Sequence, residues 1–247
     1  MTVLITVINA NTSEEMTRAI ERGARSVAGP GTRIHAVTPK MGPAAVESHY
    51  DEALAVPGLL AAIADGERAG SAGYVIACFG DPGLDAAREL ATGPVLGIAE
   101  AAMHSASFLG RGFSVVTTLS RTRGRAWDLA ERYGMRRFCR GVHACDIAPL
   151  ELDRDPDAVK KTLAACAAAL DADGSDAIVL GCAGMSDWSD QLGAELGVPV
   201  VDGVRAATLG VESLVRMGLR IGTRDEYAPP PPKPYSGLLR DFGGREG

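Results

Sequence analysis

Two cysteines, Cys78 and Cys182, stand in matching local sequences. Tyr74-Val75-Ile76-Ala77-Cys78-Phe79-Gly80 and Ile178-Val179-Leu180-Gly181-Cys182-Ala183-Gly184 each pass from an apolar stretch through a small residue into Cys-x-Gly, 104 positions apart. Residues suited to starting helices come next: Asp81 as an N-cap with Pro82 at the first helical position, and Ser186 as a cap. A helix N-terminus favours thiolate over thiol, and its free N–H groups can hold a carbonyl oxygen that gains negative charge. Two such thiols facing each other from equivalent places suit the removal of a proton from one face of a carbon and its return to the other. A single cysteine at a strand end would read more simply as buried packing; the duplication argues for chemistry.

The remaining reactive residues offer less. Cys166 falls on an apolar helical stripe and reads as core. Cys139, His143 and Cys145 alternate on one face of an expected strand, a spacing unlike that of zinc sites, so no metal is expected. Dinucleotide, Walker, H-E-x-x-H and G-x-S-x-G motifs are absent. Of the lysines, Lys160, Lys161 and Lys233 fall on a polar helix face or in the tail, leaving only Lys40 for a Schiff base. His49 and His104 keep a Cys–His hydrolase open, but it would leave the second thiol without a task.

The elements that must present these thiols alternate. Strands are expected at Thr2–Asn9, Thr32–Thr38, Gly73–Cys78, Pro94–Ile98, Phe113–Thr118, Gly141–Ile147, Asp176–Gly181 and Val198–Asp202. The continuous apolar runs YVIA and AIVL suit strands buried on both faces of a parallel sheet. Met16, Ile20, Ala24 and Val27, and then Val159, Leu163, Cys166 and Leu170, keep helical spacing. Thr12 and Glu15 suggest a capping box before the first helix. The repeat extends to Gly93–Gly97 with Val198–Asp202, and to the first strand with Ser114–Thr118. An α/β fold of two pseudo-symmetric lobes with mostly parallel sheets is therefore expected, with the site between them at the carboxyl ends of strands. The expected division is 1–98, completed by 204–222, then 99–203, then a proline-rich arm at 223–247, extended from Tyr227 to Pro234.

Composition limits the partners. The 247 residues are 46% hydrophobic and 5% aromatic, so the cores must be mostly Val, Leu, Ile and Ala. A net charge of -6 argues against nucleic acid or an anionic membrane as ligand. Five scattered cysteines do not form a disulfide framework, and MTVLITVINA lacks the features of a secretory signal, so a cytoplasmic location is expected.

The segments ACFGDPG (Ala77–Gly83), GCAGM (Gly181–Met185), MGPAAVESHYDEA (Met41–Ala53) and GIAEAAMH (Gly97–His104) resemble the hydantoin and allantoin racemases of the aspartate/glutamate racemase superfamily. The resemblance runs over nearly the whole chain. It implies two Rossmann-like lobes, two catalytic cysteines, no cofactor and a homo-oligomer acting on a small molecule. By motif, Cys78 and Cys182 match the catalytic thiols; Phe79, Gly80, Ala183 and Gly184 match the residues beside them. Asn11 lies in the family's N-P-N-T-S segment, here Asn9-Ala10-Asn11-Thr12-Ser13, where Ala10 removes the proline's stiffening. Thr117 and Thr118 match a family T-T that either contacts ligand or satisfies a strand end.

The implied substrates are 5-monosubstituted hydantoins, allantoin included. Their C5–H lies beside a ring carbonyl without an opposing carboxylate, so a modest base can remove it. Aspartate or glutamate racemase and maleate isomerase activities are alternatives within the superfamily; the lack of arginine in the cysteine loops counts against a carboxylate-rich substrate. A two-lobed binding protein would need the cleft but not the thiols.

Overall fold

The computed structural model describes residues 3–242. Its first sheet contains β1 (Val3–Asn9), β2 (Thr32–Val37), β3 (Gly73–Ala77) and β4 (Val95–Gly97), all parallel, in the order β2-β1-β3-β4. The second contains β5 (Phe113–Thr117), β6 (Cys139–Ala144), β7 (Ala177–Gly181) and β8 (Val200–Val201), also parallel, in the order β6-β5-β7-β8. The two orders are the same when β1 is matched with β5, so the internal repeat is a repeat of topology. Every residue of β3 and β7 is buried, as expected of apolar strands covered on both faces. Thr2 lies outside the described residues.

Helices alternate with the strands: α1 (Glu14–Val27), α2 (His49–Arg68), α3 (Leu84–Leu90), α4 (Ile98–Ser107), α5 (Arg123–Arg132), α6 (Ala158–Asp173), α7 (Ser189–Leu196) and α8 (Gly203–Arg216). α4 and α8 pack against each other; α4 also touches β3, β4, β5, β7 and β8, and α8 touches β1, β3, β4 and β7. One apolar cluster consequently runs from Val7 and Val75 through Ile98, Met103 and Val204 to Val115 and Val179. Burial of each such side chain contributes about 1.5–3 kcal/mol. Few aromatics enter the core, with Tyr74 and Phe113 its largest fully buried side chains.

Several local expectations are corrected. β6 starts before Gly141 and ends before Cys145, and a register irregularity between Phe113 and Ser114 leaves Arg140 without a partner on β5. That extra residue changes the alternation. Cys139 packs into the cluster shared by both sheets, whereas Cys145 packs with Cys166 and Cys182 in another. The three residues therefore do not share a face. His143 instead bonds Asp173 at 2.7 Å, and among the described residues no three His, Cys, Asp or Glu side chains converge as a metal site. Tyr227 belongs to a short 3-10 turn, not an extended segment, and its hydroxyl donates to Asp85. Residues 243–247 of the expected arm lie outside the described residues. Thr12 is not the first cap: Ser13 is, accepting from the Met16 N–H.

The caps after the two thiols also differ from expectation. Asp81, almost wholly buried and at φ +44°, does not cap α3, whose N-cap is Gly83, and Pro82 accordingly precedes the helix. Asp81 reaches across to α4, accepting from the N–H groups of Ala99 at 3.1 Å and Glu100 at 2.9 Å and from the Tyr133 hydroxyl at 2.7 Å. A side chain on Gly97 would occupy the place of the Asp81 carboxylate. In the second half the link is reversed. Asp202 caps α8 through the N–H groups of Val204 and Arg205, and Ser186 caps nothing but donates its hydroxyl to Asp202. Replacing Asp81 with Ala should lower stability by about 1–3 kcal/mol, read as a lower urea midpoint, because it removes a cap and strands the Tyr133 hydroxyl. An unchanged midpoint would mean that this link carries no stability.

Candidate active site

The carboxyl ends of β1, β3, β5 and β7 open onto one cavity of about 210 Å³. Cys78 and Cys182, each directly after its strand, line it together with Asn11, Phe79, Gly80, Thr117, Thr118 and Ala183. Of the residues proposed from sequence, Gly184 alone is outside the lining; a side chain there would meet Leu152 and the Cys182 sulfur. Only a small molecule fits such a space.

Both thiols are only partly exposed. Burial pushes each up to about 12, against the lowering effect of one backbone N–H, from Gly80 on Cys78 and from Gly184 on Cys182. The expected net lowering by a helix N-terminus is thus corrected. Cys78 leads into a tight turn and Cys182 into the 3-10 helix Ala183–Trp188, each with one N–H directed back to the sulfur, and desolvation outweighs that single donor. A negative charge on Cys182 would raise Cys78 further, so the two sulfurs share one electrostatic environment.

Hydrogen bonds brace the Asn11 loop in place of the proline. The Asn9 amide nitrogen donates to Asn11 Oδ1 at 2.8 Å, to the Ser13 carbonyl at 3.0 Å and to Thr17 Oγ1 at 3.0 Å. Asn11 Oδ1 also accepts from the Ser13 N–H, and Ala10 is buried beneath this network. The Thr12 N–H donates to the Pro43 carbonyl, which ties the loop before α2 to the site. Thr117 Oγ1 lies 3.0 Å from Thr122 Oγ1 and 3.3 Å from the Gly181 carbonyl, so it satisfies the strand end while facing the cavity.

Several lining residues escape sequence reasoning. Val46, Glu47, Ser48 and Glu52 come from the end of the β2–α2 loop and the first turn of α2, beside His49, which sequence offered only as the base of a hydrolase. The MGPAAVESHYDEA segment was their signal, although no single residue in it announces a role. Arg121 and Thr122 come from the 3-10 turn before α5 and Arg125 from its first turn, where charge reads as a solvated face. Arginine is thus absent from the cysteine loops but present in the cavity. Arg125 Nη2 donates to the Gly80 carbonyl at 2.8 Å, while its Nε lies 3.3 Å from Glu52 Oε2. That Nε–H is buried and not aimed for a hydrogen bond, so the contact is one of charge. Burial raises Glu52, and Arg125 and then His49 oppose the rise.

Comparisons with known proteins agree with this geometry. The Asp/Glu/Hydantoin racemase family profile matches residues 5–209. A hydantoin racemase of Pseudomonas sp. (strain NS671) is 45% identical over 97% of this chain and 96% of its own length. Among solved structures, an allantoin racemase from Klebsiella pneumoniae superposes with a TM-score of 0.95 at 49% identity, covering 98% of this chain and 99% of that one. The allantoin racemase from Pseudomonas fluorescens gives 0.89 at 37% identity, covering 95% of this chain and all of that one. With two parallel sheets, one shared cavity and likeness along nearly its full length, the chain belongs to the Asp/Glu/hydantoin racemase family and is an isomerase.

Proposed function

We propose that this racemase inverts C5 of 5-monosubstituted hydantoins, allantoin included, with Cys78 and Cys182 as its two proton-transfer groups and no cofactor. The observation that carries the reading is the placement of two thiols, from topologically equivalent strand ends, on one small cavity. One thiolate takes the C5 proton, and the electron pair passes to the adjacent ring carbonyl oxygen. The opposite thiol then gives its proton to the other face, which inverts the centre and exchanges the ionisation states of the two cysteines. Asn11, Thr117 and Thr118 line the cavity where the ring polar atoms would lie, with Phe79 and Ala183 as walls; the Gly80 and Gly184 N–H groups support the sulfurs. A thiol held up to about 12 is seldom ionised near neutrality, but its thiolate is a strong base, as removal of a carbon-bound proton requires.

On this reading residues 1–98 with 204–222, and residues 99–203, are the lobes that carry one thiol each, and 223–247 is an arm. We also propose that the chain self-associates and works in the cytoplasm. Exposed Phe108 (83%) and Met217 (63%) support self-association, which light scattering would test. No helix among the described residues is long and apolar enough to cross a membrane. Arg121 and Arg125 on the cavity favour one second reading, an acidic amino acid as substrate. The engagement of Arg125 with Glu52 and Gly80 weakens it, and assays of D- and L-aspartate beside enantiopure hydantoins separate the two.

Cys78→Ala and Cys182→Ala should each lower racemisation by about 10²–10⁴-fold in polarimetry, while each single mutant in D2O still exchanges the C5 proton of one enantiomer. Full racemisation by either mutant would sink the two-thiol mechanism. Because both thiols are raised, the thiolate population grows about tenfold per pH unit below the folded value. A plot of log kcat/KM should accordingly climb with a slope near one from about pH 6 to 9; a plateau below pH 7 would contradict it. Exhaustive dialysis against EDTA should leave turnover unchanged, and a loss restored by added metal would overturn cofactor independence.

A further inference from the structure

The two halves repeat closely around the thiols but differ at one place. Gly80 and Gly184 are equivalent positions, each sending its N–H to the neighbouring sulfur. A methyl group on Gly80 would overlap the Glu52 carboxylate, whereas one on Gly184 would meet Leu152 Cδ1 at 2.9 Å. Glu52 comes from the connection between β2 and β3, and Leu152 from the matching connection between β6 and β7. The same space beside each cysteine turn is therefore filled by a carboxylate in one half and by a hydrocarbon in the other. Only the carboxylate has a guanidinium: Arg125 spans Glu52 and the Gly80 carbonyl, holding the turn that supports Cys78.

We propose that Glu52 and Arg125 are positioning residues for Cys78 alone, and that this charged pair, set against Leu152 beside Cys182, makes the two thiols unequal, with Cys182 ionising first. The inference rests on the two-thiol reading given above. Glu52 has a side chain only 18% exposed, so solvent screens it little. It disfavours a thiolate at Cys78, as do Asp81 and an ionised Cys182, while Gly80 opposes them. Around Cys182 the ionisable neighbours are Cys145, whose own thiol burial raises, and Asp153, which stands exposed on the surface, where its effect is screened. His49, also exposed, lies 3.8 Å from Glu52 Oε2 at the solvent edge of the pair.

The test is the rate of iodoacetamide alkylation of each cysteine between pH 7 and 9, read by peptide mass. Iodoacetamide is neutral, so removal of a charge changes thiolate population and not the encounter. Glu52→Gln should speed alkylation of Cys78 by about tenfold, the equivalent of one pKa unit, and leave Cys182 unchanged. Arg125→Met should slow Cys78, because the carboxylate loses its counter-charge, and again leave Cys182 unchanged. Simple loosening of the fold would speed both thiols in both variants, and that result, or no change at Cys78, overturns the proposal. Alkylation needs no turnover, so its failure stays distinct from failure of the racemase reading, which the alanine variants decide.

Discussion

The site depends on a buried carboxylate that ties each thiol turn to the N-terminus of a neighbouring helix. In the first half the turn supplies it: Asp81 accepts from the start of α4. In the second the helix supplies it: Asp202 caps α8 and takes the hydroxyl of Ser186. Burial raises both carboxyl groups, Asp81 to about 6 and Asp202 in the same direction, and the hydrogen bonds they accept oppose that rise. A buried acceptor is tolerated when its lone pairs are filled, and here they are filled by helix N–H groups that lack intrahelical partners. Because α4 and α8 pack against each other between the sheets, the two links fix the thiol turns to one common frame.

That frame sets an opposition between desolvation and ionisation. Burial strengthens every interaction with a developing oxyanion, yet the same burial holds both thiols near 12. The proposed two-thiol mechanism tolerates this, since it needs one group ionised and one protonated at any moment. Asp81 in the first thiol turn and Glu52 beside Cys78 push in the same direction, so the protein withholds the thiolate rather than storing it. Pseudo-symmetry supplies two equivalent positions, while the neighbours of each need not be equivalent. Beside the cysteine turns, the halves diverge in charge at Glu52 and Leu152.

Much of this was legible in the chain itself. Apolar runs such as YVIA and AIVL determine buried parallel strands, because only a strand covered on both faces tolerates so little alternation. The Cys-x-Gly repeat determined two equivalent strand ends and hence the pairing of Cys78 with Cys182. Only the tertiary structure decided the rest. Asp81 and Ser186 look like local caps because cap residues carry the same side chains wherever their partners lie; their actual partners are separated from them by 16 or more residues. The face occupied by Cys139 turned on one extra residue in β6, an irregularity that spacing does not reveal. Arg125 and Glu52 sit on helices whose charges suit solvent, and packing alone turns them toward the cavity. The ionisation of the thiols was the largest reversal. Sequence can place a cysteine before a helix-starting residue, but desolvation is a property of everything that surrounds the sulfur, and that exists only in the folded chain.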